Sequence, residues 1–323
     1  MKTVYLCDSP NAIHEVFALY PHTPIYGTKD LYATPEVFQD TEYVFSTWGI
    51  PKLTIAEIQQ FLPNLKAIFY AAGTVQAFAR PYLACGVRIF SAWMANAVPV
   101  AEYASSQILL ATKGFFHTCN PTSPEDRAAK YAFSDCFPGN YNTTVGIIGA
   151  GAIGKLVIRR LNTSRLKILV FDPFLPEQTA AELGVELVDL PTLFRRSQVV
   201  SNHLANNAQT RGMLTGELLK TLPSNGVFIN TGRGAQVVEE DLLQVLRDRP
   251  DLIAILDVTD PEPPVAGSPF YTLPNCILTP HIAGSKGNEL HRMADYMHEV
   301  YQDFLAGRPC QYEVTLPMLD TMA

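Results

Sequence analysis

The sequence predicts an α/β protein that contains two doubly wound parallel sheets. Short β-type runs alternate with helical runs over most of the 323 residues, and this alternation is typical of parallel strands joined by helical crossovers. A glycine-rich turn, GAGAIG at 149–154, follows an apolar run near the middle of the chain. A chain of this length usually contains about two domains, so we expect one sheet on each side of the midpoint.

The first half of the chain supplies the elements of the first predicted sheet. A longer apolar helix, Ala101–Lys113, follows Pro99, and a proline here is typical of a helix start. Residues 117–142 are crowded with proline, asparagine and serine, and we expect them to be mostly loop. The predicted strands are Thr3–Cys7, Tyr43–Thr47, Leu65–Ala71 and Val87–Ala92, and the predicted helices are Ile13–Leu19, Pro35–Gln39, Thr54–Leu62 and Val75–Tyr82.

The glycine-rich turn has the pattern of a dinucleotide site. Gly149 permits a tight turn, Gly151 lets the backbone approach a pyrophosphate, and Gly154 lets the following helix pack on its strand. Phosphates favour a helix N-terminus because its N–H groups are free and its dipole is positive. Asp172 ends the next strand, where a carboxylate binds ribose hydroxyls and repels a 2′-phosphate, which favours NAD over NADP. The alternative is an ordinary structural turn followed by a surface aspartate.

The second half continues the alternation after this turn. The last predicted helix, Ser285–Ala306, is long enough to leave the second domain and return to the first. We therefore expect a discontinuous first domain, 1–100 with 295–323, and a nucleotide-binding domain at 101–294. The predicted strands are Val145–Ile148, Lys167–Phe171, Val185–Val188, Val199–His203, Gly226–Asn230, Ile253–Val258 and Cys276–Leu278, and the predicted helices are Ile153–Leu161, Gln178–Leu183, Pro191–Ser197, Gly216–Leu222 and Glu239–Arg249.

Composition excludes several classes of protein. Hydrophobic residues make up 47% of the chain and charged residues 17%, which indicates large cores rather than general disorder. The net charge of −7, without a long basic run, argues against a nucleic-acid partner. The six cysteines have no CxxC spacing, so neither a metal site nor a disulfide framework is expected. We expect no membrane segment and a cytoplasmic location, because no secretory or membrane-spanning apolar run is visible.

Four strand ends carry side chains or backbone groups suited to chemistry, and ligands of open α/β sheets bind beyond the carboxyl ends of strands. The turn at Gly73 and Thr74 presents free N–H groups that could bind a carboxylate. Arg233, between two glycines, presents a bidentate donor, and Glu262 lies in a proline-rich loop. His281 follows the last strand. Each alone has an ordinary structural explanation, as a surface, loop or capping residue.

Together, the arginine, the carboxylate and the histidine suit the reduction of a 2-oxo acid. The carbonyl oxygen needs a proton, which His281 would give as an imidazolium and recover in the oxidative direction. Glu262 beside it would favour the charged imidazole. Arg233 would hold the substrate carboxylate and polarise the carbonyl. Trp48, at another strand end, is a candidate for shaping the substrate pocket, and a core or interface position is its alternative.

Over nearly its whole length, the sequence resembles the D-isomer-specific 2-hydroxyacid dehydrogenases. The resemblance rests on VGIIGAGAIG with Asp172, NTGRGAQVVEEDLL, LDVTDPEPP, LTPHIAGS, AAGTV and PVAEYASSQILLATKG. It implies a flavodoxin-like substrate domain, a Rossmann NAD-binding domain, a homodimer and two lobes that close over the substrate. It also implies Arg233, Glu262 and His281 as the catalytic residues, Gly73 and Thr74 in the substrate-carboxylate loop, and cofactor contacts from Gly149, Gly151, Ala152, Ile153, Gly154, Asp172, Thr231, Gly232, Asp257, Ala283 and Gly284, with Asp257 on the nicotinamide carboxamide. His203 could approach the cofactor because it lies at a strand end.

One stretch departs from the family pattern. After His203 the family usually has a Pro-Leu-Thr sequence, whereas this chain has Ala205, Asn206 and Asn207, so the loop near the nicotinamide is expected to differ in shape. An NADH-sensing corepressor is the alternative function, because corepressors with this fold resemble the same family. The sequence does not identify the substrate, since one extra methylene in a pocket changes binding by only about 1–3 kcal/mol.

Overall fold

The computed structural model describes residues 2–320 and divides the chain into two compact units. The first unit contains the residues up to Asn96 and those from Ser285 onward, and the second runs from Ala97 to Gly284. The sequence predicted boundaries after residues 100 and 294. The observed boundaries follow Asn96 and Gly284, which are four and ten residues earlier in the chain. Each unit has its own sheet and its own core.

Short elements alternate regularly along the first part of the chain. Thr54 starts one helix with a capping box, in which its side chain accepts the Glu57 N–H at 3.3 Å and Glu57 reaches back to the Thr54 N–H at 2.7 Å. The elements are β1 (Lys2–Leu6), α1 (Pro10–Val16), β2 (Ile25–Tyr26), α2 (Thr28–Ala33), β3 (Thr41–Ser46), α3 (Ile55–Phe61), β4 (Ala67–Tyr70), α4 (Ala79–Ala84), β5 (Arg88–Ser91) and α5 (Trp93–Thr112).

The remaining elements follow the same rhythm until a long final helix. Gly184 ends one helix in the left-handed conformation, which a residue without Cβ adopts at little cost. The elements are α6 (Phe115–Thr118), α7 (Pro124–Phe133), β6 (Tyr141–Ile148), α8 (Ala152–Leu161), β7 (Arg165–Phe171), α9 (Glu177–Leu183), β8 (Glu186–Leu187), α10 (Leu190–Arg196), β9 (Val199–Asn202), α11 (Gly216–Leu219), β10 (Val227–Asn230), α12 (Glu239–Asp248), β11 (Ile253–Leu256), β12 (Cys276–Leu278), α13 (Glu289–Leu305) and β13 (Glu313–Val314).

The two sheets have different strand orders. The first is ordered β13-β5-β4-β3-β1-β2, parallel except for β13, which pairs antiparallel with β5. Its parallel part has the flavodoxin-like order, in which the second strand lies outside the first. The second sheet is ordered β12-β11-β10-β9-β6-β7-β8 and is wholly parallel. Its order reverses between β6 and β9, as in the Rossmann fold, so both predicted sheet types are confirmed.

Successive side chains of a central strand enter opposite cores. In β1, Val4 and Leu6 belong to one apolar cluster and Tyr5 to another. In β6, Val145 and Ile147 face one cluster of the second unit, and Ile148 faces the other. This alternation is expected where helices cover both faces of a parallel sheet. Within residues 2–320, no helix is long and apolar enough to span a bilayer.

Four predicted elements were wrong in position or kind. The predicted loop 117–142 contains α7, which begins with Pro124 after a Ser123 side chain that accepts the Asp126 N–H at 3.1 Å. The helix predicted at Val75–Tyr82 is observed as α4, further along. Helix α5 starts before Pro99 and retains it in its interior, and α13 starts four residues later than predicted. Weak local signals explain these differences, because packing sets the ends of marginal helices.

Candidate active site

The glycine-rich turn needs glycine for geometric reasons at two of its positions. Gly149 has φ +85°, and a Cβ there would lie 2.9 Å from the His203 carbonyl oxygen. At Gly154 a Cβ would lie 1.9 Å from the Gly149 carbonyl oxygen, a distance that no side chain tolerates. A Cβ at Gly151 would meet nothing within 4 Å. The turn is therefore tightly packed against its own strand and open in front of Gly151.

Helix α8 begins directly behind this opening. It has no side-chain cap and no acidic residue in its first turn, so its first N–H groups and its positive dipole end are available to an anion. The Asp172 carboxylate accepts the Ala150 N–H at 2.7 Å and the Phe174 N–H at 2.8 Å. A carboxylate has about four acceptor positions, so capacity remains for ribose hydroxyls. These features fit a dinucleotide pyrophosphate and its adenosine ribose.

His203 is a buried neutral histidine at the end of β9. Its Nε2 lies 3.0 Å from Ser201 Oγ and its Nδ1 3.2 Å from Thr231 Oγ1. Burial lowers the pKa of His203 to about 3, since an imidazolium loses its hydration there. The imidazole therefore acts as a hydrogen-bonding group near neutral pH, and it ties two predicted cofactor residues, His203 and Thr231, to each other.

Arg233 follows β10 and lies beside the carboxylate of Glu262. Burial lowers the pKa of the Arg233 guanidinium, and the nearby Glu262 charge opposes that shift. The guanidinium donates from Nη1 to the Gly232 carbonyl oxygen at 2.7 Å. Gly234 permits the close approach of this turn to the next strand end, because a Cβ there would lie 2.0 Å from the Thr259 carbonyl carbon. An arginine retains its charge in such surroundings and has further donors for a carboxylate.

His281 is paired with Glu262, as predicted from the sequence. The Nδ1 of His281 lies 2.5 Å from Glu262 Oε1, and both side chains are partly exposed, at 48% and 39%. His281 has φ +52°, an uncommon conformation for a residue other than glycine and one that often marks a functional turn. This contact places Nδ1 on the carboxylate, so Nε2 lies on the opposite side of the ring.

Asp257 holds the turn that presents His281. Its buried carboxylate accepts the Thr279 hydroxyl at 2.6 Å and the Ile282 N–H at 2.8 Å through Oδ1, and the Ala283 N–H at 2.9 Å through Oδ2. The His281 N–H also lies 3.1 Å from the Asp257 carbonyl oxygen. Tyr103 extends the chain of contacts, with its hydroxyl 3.1 Å from Thr279 Oγ1. Sequence reasoning assigned Asp257 to the cofactor and missed this supporting role.

The predicted substrate residues of the first unit lie at neighbouring strand ends. Gly73 and Thr74 follow β4, and their turn is held by Ser91 Oγ, which donates to the Gly73 carbonyl oxygen at 2.6 Å. Trp48 follows β3 and is 41% exposed. Asn96 was missed: its amide nitrogen lies 3.6 Å from the position of a Cβ on Gly73, and its Oδ1 accepts the Ser285 N–H at 3.0 Å. Asn96 lies in the first turn of α5, five residues after β5 ends, so a search for side chains directly beyond strands does not reach it.

Two absences expected from the sequence concern metals and disulfides. Among the residues that the structure describes, there is no cluster of three or more histidine, cysteine, aspartate or glutamate side chains that could hold a metal ion. All six cysteines are free. Burial raises the pKa of Cys276 to about 12, so this thiol is not a nucleophile near neutral pH.

The chain is similar in sequence to known dehydrogenases. Residues 123–283 match the model of the D-isomer specific 2-hydroxyacid dehydrogenase NAD-binding domain. Glycerate dehydrogenase of Methylorubrum extorquens is 37% identical over 169 residues, which are 52% of this chain and 51% of that relative. D-3-phosphoglycerate dehydrogenase of Archaeoglobus fulgidus is 27% identical over 266 residues, 82% of this chain and 50% of the relative. The matched part of the chain thus spans about half the length of these relatives.

Solved structures resemble the fold over almost the whole chain. D-mandelate dehydrogenase of Rhodotorula graminis gives a TM-score of 0.78 at 19% identity and covers 97% of each chain. An NAD-complexed D-isomer specific 2-hydroxyacid dehydrogenase of Lactobacillus delbrueckii gives 0.77 at 19% identity, over 98% of this chain and 100% of that one. At such identities the likeness shows the fold alone. With the matched domain, NAD is confirmed as the cofactor, and residues 123–283 form an NAD-binding domain of the D-isomer specific 2-hydroxyacid dehydrogenase type.

Proposed function

We propose that the protein is an NAD-dependent oxidoreductase that interconverts a 2-oxo acid and a D-2-hydroxy acid, with His281 as the general acid and base. The observation that carries this proposal is the 2.5 Å contact between His281 Nδ1 and Glu262 Oε1, in the unit that also contains Arg233 and the glycine-rich turn. A hydroxy acid and its oxo acid differ by a hydride and a proton, so the site needs a proton carrier beside a carboxylate anchor.

Each residue of the site has a separate role in the proposed reaction. NADH supplies the hydride when bound. His281 gives a proton from Nε2 to the carbonyl oxygen, and the Glu262 carboxylate stabilises the imidazolium before transfer. Arg233 holds the substrate carboxylate by a bidentate contact and stabilises the negative charge that develops on the carbonyl oxygen. In the oxidative direction, neutral His281 takes the hydroxyl proton. Asp257 keeps the His281 turn in place through its three accepted hydrogen bonds.

The other predicted site residues would bind the substrate and the cofactor. Gly73 and Thr74 would bind the substrate carboxylate through backbone N–H groups, and Trp48 would shape the pocket for the substrate side chain. Ala152, Ile153 and Asp172 would bind the pyrophosphate and ribose, with Thr231, Gly232, Ala283 and Gly284 near the nicotinamide. We also propose a cytoplasmic homodimer. Glycerate, phosphoglycerate and sulfolactate are substrates in the names of relatives, so small acids of this kind belong in the first assay.

The decisive experiment is an assay of NADH oxidation with small, hydroxylated, branched, aromatic and phosphorylated 2-oxo acids, followed by chiral analysis of the product. We expect at least one D-hydroxy acid, and a lower rate with NADPH because Asp172 repels its 2′-phosphate.

R233A and H281A should each lower kcat/KM by about 10²–10⁴-fold, whereas R165A, at an exposed position, should match the parent. The proposal fails if no acid is reduced, or if both variants keep the parent's activity. NADH binding without turnover would favour the corepressor alternative.

A further inference from the structure

Three buried side-chain amides join two loops of the second unit. Asn202 ends β9 and Asn230 ends β10, and the two are paired in register. Gln236 lies in the short helical turn after Arg233. Asn202 and Gln236 are fully buried and Asn230 is 1% exposed. Asn202 Nδ2 donates to Asn230 Oδ1 at 2.9 Å and to Gln236 Oε1 at 2.7 Å. We call these three residues the amide cluster.

One side of the amide cluster holds the backbone of Arg233. Gln236 Oε1 accepts the Arg233 N–H at 3.0 Å. Asn230 Oδ1 accepts the Gly232 N–H at 3.1 Å, and Asn230 Nδ2 donates to the Arg233 carbonyl oxygen at 3.2 Å. Polar groups on both sides of the Arg233 Cα are therefore fixed by buried amides, which limits the directions that its guanidinium can take.

The other side holds the start of the loop after His203. Gln236 Nε2 donates to the carbonyl oxygens of Leu204 and Ala205 at 2.8 and 3.0 Å. Asn202 Oδ1 accepts the Leu204 N–H at 3.2 Å. This is the loop where Ala205, Asn206 and Asn207 replace the Pro-Leu-Thr sequence usual in the family. A loop without that proline has more freedom in the backbone, and the two carbonyl contacts restrain it from inside the unit.

The cluster has little space to rearrange. A Cβ on Gly232 would lie 2.5 Å from Gln236 Oε1 and 2.8 Å from Asn202 Nδ2. Every amide nitrogen and oxygen of the three side chains has a partner. Buried polar networks that are fully satisfied specify one geometry, because any displacement leaves a buried group unpaired. A movement of the loop would therefore disturb the Arg233 backbone through one side chain, Gln236.

We propose that Gln236, supported by Asn202, is a positioning residue that locks the 204–207 loop and Arg233 into working positions together. Gln236 acts through the backbone of Arg233 and of the loop and does not itself touch substrate. The inference rests on the proposed function for the role of Arg233 and on the cofactor role expected of the loop. The link between the two segments does not depend on which oxo acid is reduced.

The test compares Q236M with the parent protein. Methionine has a similar length and no comparable donor or acceptor, so it removes the link and leaves the Arg233 N–H unpaired. We expect the NADH Kd, measured by fluorescence, and the KM for the oxo acid each to rise by about 5–10-fold, the loss expected for broken hydrogen bonds. Native-state hydrogen exchange at the Arg233 amide should accelerate by about 10-fold or more, for the same reason.

A matched control separates positioning from general destabilisation. Asn275 is also buried, and its Nδ2 donates to the Leu246 and Leu252 carbonyl oxygens at 2.9 and 3.0 Å, away from both segments. N275L should lower the melting temperature and leave the NADH Kd, the KM and Arg233 exchange within about two-fold of the parent. The proposal is overturned if folded Q236M shows parental values, or if N275L reproduces its changes. If the parent reduces no oxo acid, the proposed function fails, while NADH binding and Arg233 exchange still decide this inference.

A conservative variant decides the matter if Q236M does not fold. Burial favours the protonated form of the carboxyl group in Q236E. Its carbonyl oxygen can still accept hydrogen bonds from Arg233 and Asn202. Its single O–H can donate to only one of the two loop carbonyl oxygens that Gln236 contacts. Arg233 exchange should stay within about two-fold of the parent, while the NADH Kd should rise by about three-fold or more, since one loop contact is lost. A Q236E protein with an unchanged Kd, or with accelerated Arg233 exchange alone, would overturn the proposal.

Discussion

The hydrogen bond between His281 and Glu262 is the contact on which the proposed chemistry depends most directly. With Nδ1 at 2.5 Å from the carboxylate, the ring has one orientation, and Nε2 is the nitrogen proposed to face the substrate. The positive φ of His281 and the three hydrogen bonds accepted by Asp257 hold the turn in which this orientation is possible. A strained backbone that is fixed by its surroundings is a common way to present a reacting side chain.

Replacing Glu262 by glutamine tests this contact at the scale of one residue. E262Q keeps a hydrogen-bond acceptor and removes the negative charge, so the imidazolium loses electrostatic stabilisation, and we expect kcat to fall by about 10–100-fold. The NADH Kd should stay unchanged. The matched control is D260N, because Asp260 lies in the same loop but pairs with Arg211 at 3.0 Å. Steady-state kinetics in which both variants lose equal activity would show that loop structure, rather than the Glu262 charge, is responsible.

The sequence pointed to candidate residues that directly follow strands, and it gave no sign of residues proposed to act through the backbone. Arg233 and His281 became candidates because a charged or titratable side chain beyond a parallel strand lies where ligands bind. Gln236 did not, because its role depends on carbonyl oxygens 31 and 32 positions earlier in the chain. No local pattern reports such a distant partner. The roles of the site residues stay predictions until the variants are measured.

At the scale of elements, strands of the second sheet were predicted best. Their apolar runs are bounded by turns, and burial on both faces makes them uniformly hydrophobic. The two-residue strand β2 and the short helix α2 were missed because elements of this length have little periodicity. Helix α7 was missed because it has no buried residue, so the apolar stripe on which a helix prediction depends is absent.

The start of helix α12 provides a prediction at this scale. Burial raises the pKa of Glu239 to about 7, partly opposed by the hydrogen bond from the Asp260 N–H at 2.8 Å. The unfolded value is near 4.5, so the folded state resists ionisation. The resulting penalty is absent below pH 4.5, grows as the pH rises towards 7, and is fully present above it.

E239Q should therefore stabilise the protein in a pH-dependent manner. Glutamine keeps an acceptor for the Asp260 N–H and has no charge to bury, so its melting temperature should match the parent near pH 4.5 and exceed it by a few degrees at pH 8. Scanning calorimetry at these two pH values measures the difference. E240Q changes the neighbouring carboxylate, which is exposed, and should show no such widening. A constant difference between E239Q and the parent would contradict the raised pKa.

At the scale of the whole molecule, each unit contains a histidine whose surroundings favour the neutral form, fully buried in one unit and partly buried in the other. His203 lies in the second unit, where burial lowers its pKa to about 3. His298, on α13 of the first unit, stacks on Tyr20 with ring centroids 3.7 Å apart. Burial lowers its pKa to about 4, against the attraction of Asp295. Its Nε2 is buried without a hydrogen-bond partner among residues 2–320. Both imidazoles therefore bind a proton less readily in the folded state than in the unfolded chain.

The protein should consequently lose stability in mild acid. The unfolded histidines have a pKa of 6.5. As the pH falls below 6.5, the unfolded state therefore binds protons that the folded state does not bind. The free energy of unfolding then declines towards pH 4, by up to about 1.4 kcal/mol per pH unit for a fully buried histidine. Above pH 6.5 these two groups contribute no pH dependence.

H298F keeps the stacking surface and removes both the titration and the unpartnered nitrogen. Its melting temperature should exceed that of the parent most at pH 4.5 and less at pH 7.5. Parallel curves for H298F and the parent would mean that His298 is protonated in the folded state, and the acid sensitivity would have to come from other groups.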